Sequence, residues 1–292
     1  EESVVLIMLN RGLILFALSV PLASALKVTV VGGTGFVGRR VCEFLVEQGA
    51  TVSSVSKSGA VPGDCLDEPW TTKVQWVAND LTRGARENLA AAIGDPDAIV
   101  STVGAIGFDR QGLLLGNGVA NVEVARAAQA AGVSRIVYVS VSGEVVEASK
   151  PFGQQQLPGY FEGKAMAEAA IIEAVGSDGA CFVKPTFIYG GESFAIAPPR
   201  VTAWYGAGVE ELLSTPPFRF IAPKLPGLLK VALRPPVSVD AVAMACAGLA
   251  IGTVDCAGTL DGTDSINEAA GMSTPVGIKT WFERLQQKAQ SD

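Results

Sequence analysis

Histidine is absent from all 292 residues. That absence removes the imidazole on which Ser-His-Asp triads, zincin motifs and most zinc sites depend. Charge is scarce: 17% of residues are charged, the formal net charge is −7, and no basic cluster interrupts the chain. Nucleic acid is thereby excluded as the main partner, because phosphate neutralisation needs a basic face. The five cysteines, Cys42, Cys65, Cys181, Cys246 and Cys256, lack any paired spacing. They read as reduced core thiols, not as a disulfide framework or a metal set. Internal repeats and low-complexity tracts are also missing. What remains is 49% apolar, enough to bury the core of one large α/β domain, or of a domain with a small appendage.

The stretch that organises the chain is Lys27 to Gly49, KVTVVGGTGFVGRRVCEFLVEQG. A β-branched run, Val28 to Val31, leads into Gly32, Gly33, Gly35 and Gly38. Phe36, Val37, Val41, Phe44 and Leu45 then recur at helical spacing until Gly49. Strand, glycine turn and helix follow in that order. Early glycines permit a turn and a backbone approach that a Cβ would block, and the last lets helix and strand pack closely. Amide groups across Gly32, Gly33, Thr34, Gly35, Phe36, Val37 and Gly38 would then face the pyrophosphate of a dinucleotide.

A second strand, Thr51 to Ser56, ends where an NAD site places a carboxylate for the ribose hydroxyls. From Thr51 to Gly63 there is no Asp or Glu. Ser56, Lys57 and Ser58 stand there instead, a cation between two hydroxyls, which suits a 2′-phosphate and favours NADP(H) over NAD(H). The loop Gly59 to Thr72 is polar and turn-rich, so it is expected to be exposed. Lys73 to Val77 reads as a third strand ending in Asn79-Asp80-Leu81. Asp80 and the Leu81 backbone can meet an adenine edge, or Asp80 can cap the next helix. Ala98 to Val103 is an apolar fourth strand, of the kind found in a parallel sheet buried on both faces. It runs into Gly104 and Ala105, and small side chains from Val103 onward let a cofactor lie across the sheet edge. Asn117 to Ala131 reads as a helix and Arg135 to Ser140 as the fifth strand, ending in Ser140-Val141-Ser142. The regular alternation predicts a doubly wound, mostly parallel α/β sheet with its ligand crevice at the strand carboxyl ends.

A second constellation opens a helix expected to run from Tyr160 to about Val175. Tyr160 and Lys164 are four residues apart and share a helical face, so the ammonium is expected to lower the phenol's pKa. With Ser142 holding a substrate carbonyl, Tyr160 could act as general acid while a nicotinamide delivers hydride. Both side chains are also expected to line the cofactor site, alongside Ser140.

With these stretches in hand, the chain resembles the atypical and extended short-chain dehydrogenase/reductases. The likeness is to the branch that contains the NADPH-binding accessory subunit of respiratory complex I, the yeast mitochondrial protein associated with coenzyme Q synthesis, and plant organellar relatives. GGTGFVGRRVCE, SSVSKSG, KVQWVANDL, NGVANVEVARAAQAAGVSRIVYVSVS, GYFEGKAMAEAAI, FVKPTFIYG and LRPPVSVDAVA carry the resemblance, over about Lys27 to Gly252. It implies a Rossmann domain holding NADP(H) or NAD(H), with Gly32, Gly35, Gly38, Lys57, Asp80, Tyr160 and Lys164 in the cofactor site. It also implies a plastid or mitochondrial location, the plastid slightly favoured. Where Ser142 stands, close relatives often carry a residue without a hydroxyl.

The remainder of the chain frames that domain. Residues 1–26 read as a hydrophobic targeting or anchor segment. Gly12 to Leu22 has the length of a signal h-region and ends in Ala23-Ser24-Ala25, and residues 4–26 are long enough to associate with a membrane. The nucleotide domain is expected over 27–190. After a sixth strand, Ala180 to Lys184, Pro185 and Phe187 are placed near the nicotinamide. Residues 191–292 read as a small C-terminal region that covers substrate or binds a partner. It is Pro-rich and aromatic from Glu192 to Pro236, with helices at Asp240 to Ile251 and Pro275 to Ala289. Two functions fit: a reductase of a hydrophobic carbonyl or quinone-type substrate, and a nucleotide-holding accessory or assembly factor of an organellar membrane complex. In both, a nicotinamide dinucleotide is the small-molecule partner.

Overall fold

The computed structural model describes residues 25–81, 86–107, 109–150, 159–191, 195–196, 199–225, 227–256 and 258–272. The apolar stretch up to residue 24 and the helix expected over Pro275 to Ala289 lie outside them. Seven strands form one sheet: β1 Lys27–Val31, β2 Thr51–Ser56, β3 Val74–Ala78, β4 Ala98–Ser101, β5 Ile136–Val139, β6 Ala180–Lys184 and β11 Thr259–Asp261. Their order across the sheet is 3-2-1-4-5-6-11, and every pairing is parallel. The order reverses between β1 and β4, which opens a crevice at their carboxyl ends.

Burial on both faces explains why these strands read as apolar runs. Val28 and Val30, Ala98 and Val100, Val137 and Val139, and Cys181 and Val183 enter one core cluster. Their alternate neighbours Val31, Ile99, Ile136, Tyr138, Ala180 and Phe182 enter the other. The period of two assigns each residue to a face. Helix α1 Phe36–Glu47 covers the first face together with α10 Val239–Ile251. The Ser238 hydroxyl starts α10 by accepting from Ala241 N at 3.0 Å, and Gly252, at φ +81°, stops it. On the second face lie α2 Arg86–Ile93, α4 Ala120–Ala130 and α6 Tyr160–Gly179, the last broken at Gly176.

Three expectations are corrected and one region gains detail. The helix expected from Asn117 is preceded by α3 Arg110–Leu114 and a π-turn, Leu115–Val119, before α4 begins. The loop after β2 is not simply exposed: it makes 3-10 turns at Gly63–Cys65 and Pro69–Lys73, and Trp70 is buried against Trp76. The Pro-rich stretch after β6 is largely structured. It contains β7 Ile188–Tyr189 paired with β10 Val237–Ser238, β8 Ala195–Ile196 paired with β9 Pro199–Arg200, and α7 Ala203–Leu213, α8 Pro216–Ile221 and α9 Gly227–Ala232. Finally, Cys181 and Cys256 are joined in a disulfide, with Cα atoms 5.4 Å apart, while Cys42, Cys65 and Cys246 are free. A separation of 75 residues hid that pair, since the two thiols meet only once β6 and the end of α10 have packed.

Candidate functional site

The turn after β1 needs each glycine for a different reason. Gly32 has φ +90°, the left-handed region, and a Cβ there would stand 2.8 Å from Thr102 Oγ1. A Cβ at Gly33 would stand 2.9 Å from Ser54 Cβ, and one at Gly38 would stand 2.8 Å from Gly33 Cα while overlapping the Gly32 carbonyl. Gly35 caps α1 with extended backbone, and its N–H donates to Gly32 O at 2.9 Å. No side chain caps this helix start, and its first turn carries no acidic residue. Amides at the positive end of a helix, in a turn packed so tightly on its own neighbours that only glycine fits, are the donor set a diphosphate requires. Thr102 ties the turn to β4 at the switch point, its hydroxyl donating to Gly32 O at 3.2 Å.

Toward the sheet edge, β2 and β3 bring their ends together. Lys57 Nζ lies 3.5 Å from Asp80 Oδ2, so these two predicted residues meet. Ser56 Oγ accepts from Gly59 N and Ser58 Oγ from Ala60 N, which shapes the turn around Lys57. Leu81 lies beside them, half-buried.

Across the sheet, Lys164 is the central group. It is 6% exposed, and its Nζ donates to Val139 O at 2.9 Å. The ammonium stands 4.7 Å from the Tyr138 ring centre and 5.9 Å from that of Tyr160. Burial lowers its pKa to about 7, against a raising pull from the Glu168 carboxylate. Tyr160 corrects a sequence expectation: burial pushes its phenol up to about 12, where the ammonium was expected to bring it down.

Sequence reasoning missed Asn117. It sits in the π-turn, a helical irregularity that recurs at functional sites. Its Oδ1 accepts from Ala105 N, and its Nδ2 donates to Ala105 O and Leu113 O, which pins Gly104 and Ala105 in place. A Cβ at Gly104 would come within 3.5 Å of Lys164 Nζ and 3.1 Å of Asn117 Oδ1, so these groups converge. Tyr138 Oη donates to Asn117 O at 3.2 Å. The Gly-Asn-Gly sequence at residues 116–118 was the available signal.

Of the remaining predicted residues, Ser140 gives its hydroxyl to Glu168 at 2.5 Å, and Glu168 also holds Lys184. Val103 lends its carbonyl to Asn121 Nδ2. Pro185 is buried and its carbonyl accepts from Ser142 N, while Phe187 is exposed. Ser142 is 1% exposed and lines a cavity of about 330 Å³ with Glu144, Thr186, Arg234 and Thr263. Its hydroxyl has no hydrogen-bond partner among the described residues. Burial would raise the Glu144 carboxyl, but Arg234 and Lys230 outweigh it and hold it below its ordinary value. A larger cavity, about 550 Å³, runs along α1 from Phe36 to Glu43 and is bordered by Tyr189, Gly190, Gly191, Ser238 and Asp240, where β7 and β10 end.

This geometry agrees with what the chain is similar to. The model of a family described as NAD(P)H-binding matches residues 32–189. An uncharacterised chloroplastic protein of Arabidopsis thaliana is 33% identical over 222 residues, covering 75% of this chain and 69% of that one. The mitochondrial protein fmp52 of Aspergillus clavatus is 29% identical over 169 residues, covering 56% of this chain and 67% of that one. In fold, the chain is similar to the Bordetella bronchiseptica enzyme WbmH, solved in complex with NAD+, with a TM-score of 0.55 at 20% identity over 92% of this chain and 83% of that one. The chain therefore belongs to the NAD(P)H-binding family of Rossmann-fold, short-chain dehydrogenase/reductase-like proteins.

Proposed function

We propose that this protein is an NADP(H)-dependent reductase of a hydrophobic carbonyl or quinone-type substrate. Residues 27–190 form its nucleotide domain, and the residues from 191 onward cover the substrate. The observation that carries the reading is the buried Lys164, one helical turn beyond Tyr160 and against the small residues that end β4. A bound NADPH supplies hydride to the carbonyl carbon. Tyr160 gives its phenolic proton to the carbonyl oxygen and regains one from solvent. A phenol pushed up to about 12 is protonated at neutral pH, the form a proton donor needs. Lys164 steadies the phenolate that forms and holds the nicotinamide ribose, and the unpartnered Ser142 hydroxyl orients the carbonyl. Preference for NADP(H) is supported by Lys57 between two serines at the end of β2, a strand end that carries no carboxylate of its own, although Asp80 from the end of β3 pairs with the Lys57 ammonium. The chloroplastic and mitochondrial relatives support an organellar location, the plastid before the mitochondrion.

The test is to purify the full chain, identify the nucleotide that accompanies it, and assay NADPH oxidation against a panel of carbonyls and quinones. Tyr160→Phe is expected to lower kcat by about 10²- to 10⁴-fold and leave nucleotide affinity within about threefold. Unchanged turnover would remove Tyr160 as the acid. A second reading rests on the same burial: a phenol this hard to ionise also suits a nucleotide held permanently, in an accessory or assembly factor of an organellar membrane complex. Tightly held NADPH with no turnover on any substrate would favour it.

A further inference from the structure

Between Glu211 and Asp240 the sequence contains no Asp or Glu, although it contains Arg219, Lys224, Lys230 and Arg234, in a chain of net charge −7. Two carboxylates from elsewhere meet these cations. Asp264 takes two bonds from Arg219, at 2.8 and 2.9 Å. Glu144 is shared by Arg234 and Lys230. Lys224 has no carboxylate partner among the described residues, and its Nζ stands 3.1 Å from the centre of the Phe220 ring. Asp261 also lines the cavity beside Arg234, so four cations stand against three carboxylates and the positive excess of this face rests on Lys224.

Apolar side chains of the same segment face water. Phe220 is 67% exposed, Leu229 61% and Ile221 46%, and Pro216, Pro217 and Pro223 are exposed beside them. Trp204 and Tyr205, on the neighbouring α7, are exposed as well. Helices α8 and α9 both pack on the turn at 222–224, which brings Phe220, Ile221 and Leu229 into one short segment of the fold. Single exposed apolar residues are ordinary, whereas a cluster of them marks an interaction site. The segment also contains six prolines, at 216, 217, 223, 226, 235 and 236. The exposed ones, Pro216, Pro217 and Pro223, have no backbone donor to lose its water on entering an apolar phase.

We infer that this surface docks on an anionic lipid bilayer. Phe220, Ile221 and Leu229 enter the boundary between headgroups and acyl chains, and Lys224 lies among the lipid phosphates. The positive excess favours a lipid surface over an apolar protein groove. Helix α9 packs on α5 Gly143–Ser149; Glu144 of α5 and Arg234, two residues past α9, line the cavity beside Ser142. On the proposed reductase reading, a substrate dissolved in the bilayer would reach that cavity from this side; the docking itself does not rest on that reading.

The test mixes the full chain with phosphatidylcholine vesicles, with and without phosphatidylglycerol, and follows flotation and amide hydrogen exchange. Flotation alone is ambiguous because residues 4–26 are apolar too, so the deciding signal is local. Amides of residues 218–232 are expected to exchange about tenfold or more slowly on the anionic vesicles. Phe220→Asp with Leu229→Asp should abolish that protection, and Lys224→Glu alone should weaken it on anionic vesicles. NADPH affinity, measured in parallel, shows that each variant is folded. It also separates the two ideas, since a wild type that docks without binding nucleotide sinks only the reductase. Flotation with these amides unprotected, or no flotation, overturns the inference. So does protection that rises with protein concentration when no vesicles are present, which would assign the surface to a second copy of the chain.

Discussion

Lys164 is a cation placed where a cation is costly, and the cost has a pH signature. Its native pKa is about 7, lowered by burial, whereas an unfolded lysine titrates near ~10.4. Between those values the unfolded chain binds a proton that the native chain does not, so stability climbs as pH rises. Below about 7 both states hold the proton and the native state bears the full penalty, on the order of a few kcal/mol. In the nucleotide-free protein, the urea midpoint should therefore rise between about pH 7 and pH 10. Lys164→Met should flatten that rise, and equal slopes in variant and wild type would show that the ammonium is solvated. Lys57 is the opposite case. It is 73% exposed on its side chain and 3.5 Å from Asp80, a pair worth about 0–1 kcal/mol, so Lys57→Glu should leave the urea midpoint almost unchanged. Its cost should appear in binding instead. NADPH affinity is expected to fall by about ten- to a hundredfold, with NADH losing less than about threefold. Equal losses in a fluorescence titration would refute the 2′-phosphate assignment.

The glycine turn and α1 act as one element, because backbone approaches backbone. A Cβ at Gly38 would overlap the Gly32 carbonyl and crowd Gly33 Cα at 2.8 Å, and no rotamer change relieves a clash with main chain. Gly38→Ala should destabilise by about 1–3 kcal/mol and weaken nucleotide binding by about tenfold or more. Gly63→Ala is the control: a Cβ there has open space, and its φ lies outside the left-handed region. If both variants behave alike, the close packing at Gly38 is not what shapes the cradle. This element was legible in the sequence because its requirement is local: a β-branched run, glycines at fixed spacing, then helical periodicity. The strands were legible for a related reason, since burial on both faces writes an apolar run. The π-turn was not, because periodicity counts residues per turn and passes over one extra residue at Asn117. Nor were α7, α8 and α9, short helices in a stretch punctuated by prolines, of which Pro216 and Pro217 stand at the start of α8, where proline is tolerated. The exposed-loop reading missed Trp70, which packs into the core from a segment whose composition is polar.

At the scale of the whole molecule, the C-terminal third is bound to the nucleotide domain by packing and by one covalent link. Helix α10 packs along α1, and Arg40 Nε donates to Asp240 Oδ1 at 2.8 Å across the two. The Cys181–Cys256 disulfide closes a loop of 75 residues that contains α7, α8, α9 and α10. Closing a loop of that length in the unfolded chain is worth about 4 kcal/mol on the chain-entropy account, and removal of a native disulfide commonly costs about 2–5 kcal/mol. Reducing the protein should therefore lower its urea stability by about 2–4 kcal/mol. Hydrogen exchange should locate the loss. Amides of residues 203–251 should open more readily after reduction, while β1, β2 and β4, packed on both faces, should change least. A Cys181→Ser/Cys256→Ser variant should start at the lower stability and show no further response to reductant. If wild type and variant have the same midpoint with and without reductant, the two sulfurs are not joined in the folded protein, and non-covalent contacts, α10 on α1 and β11 on β6 among them, hold the C-terminal third in place.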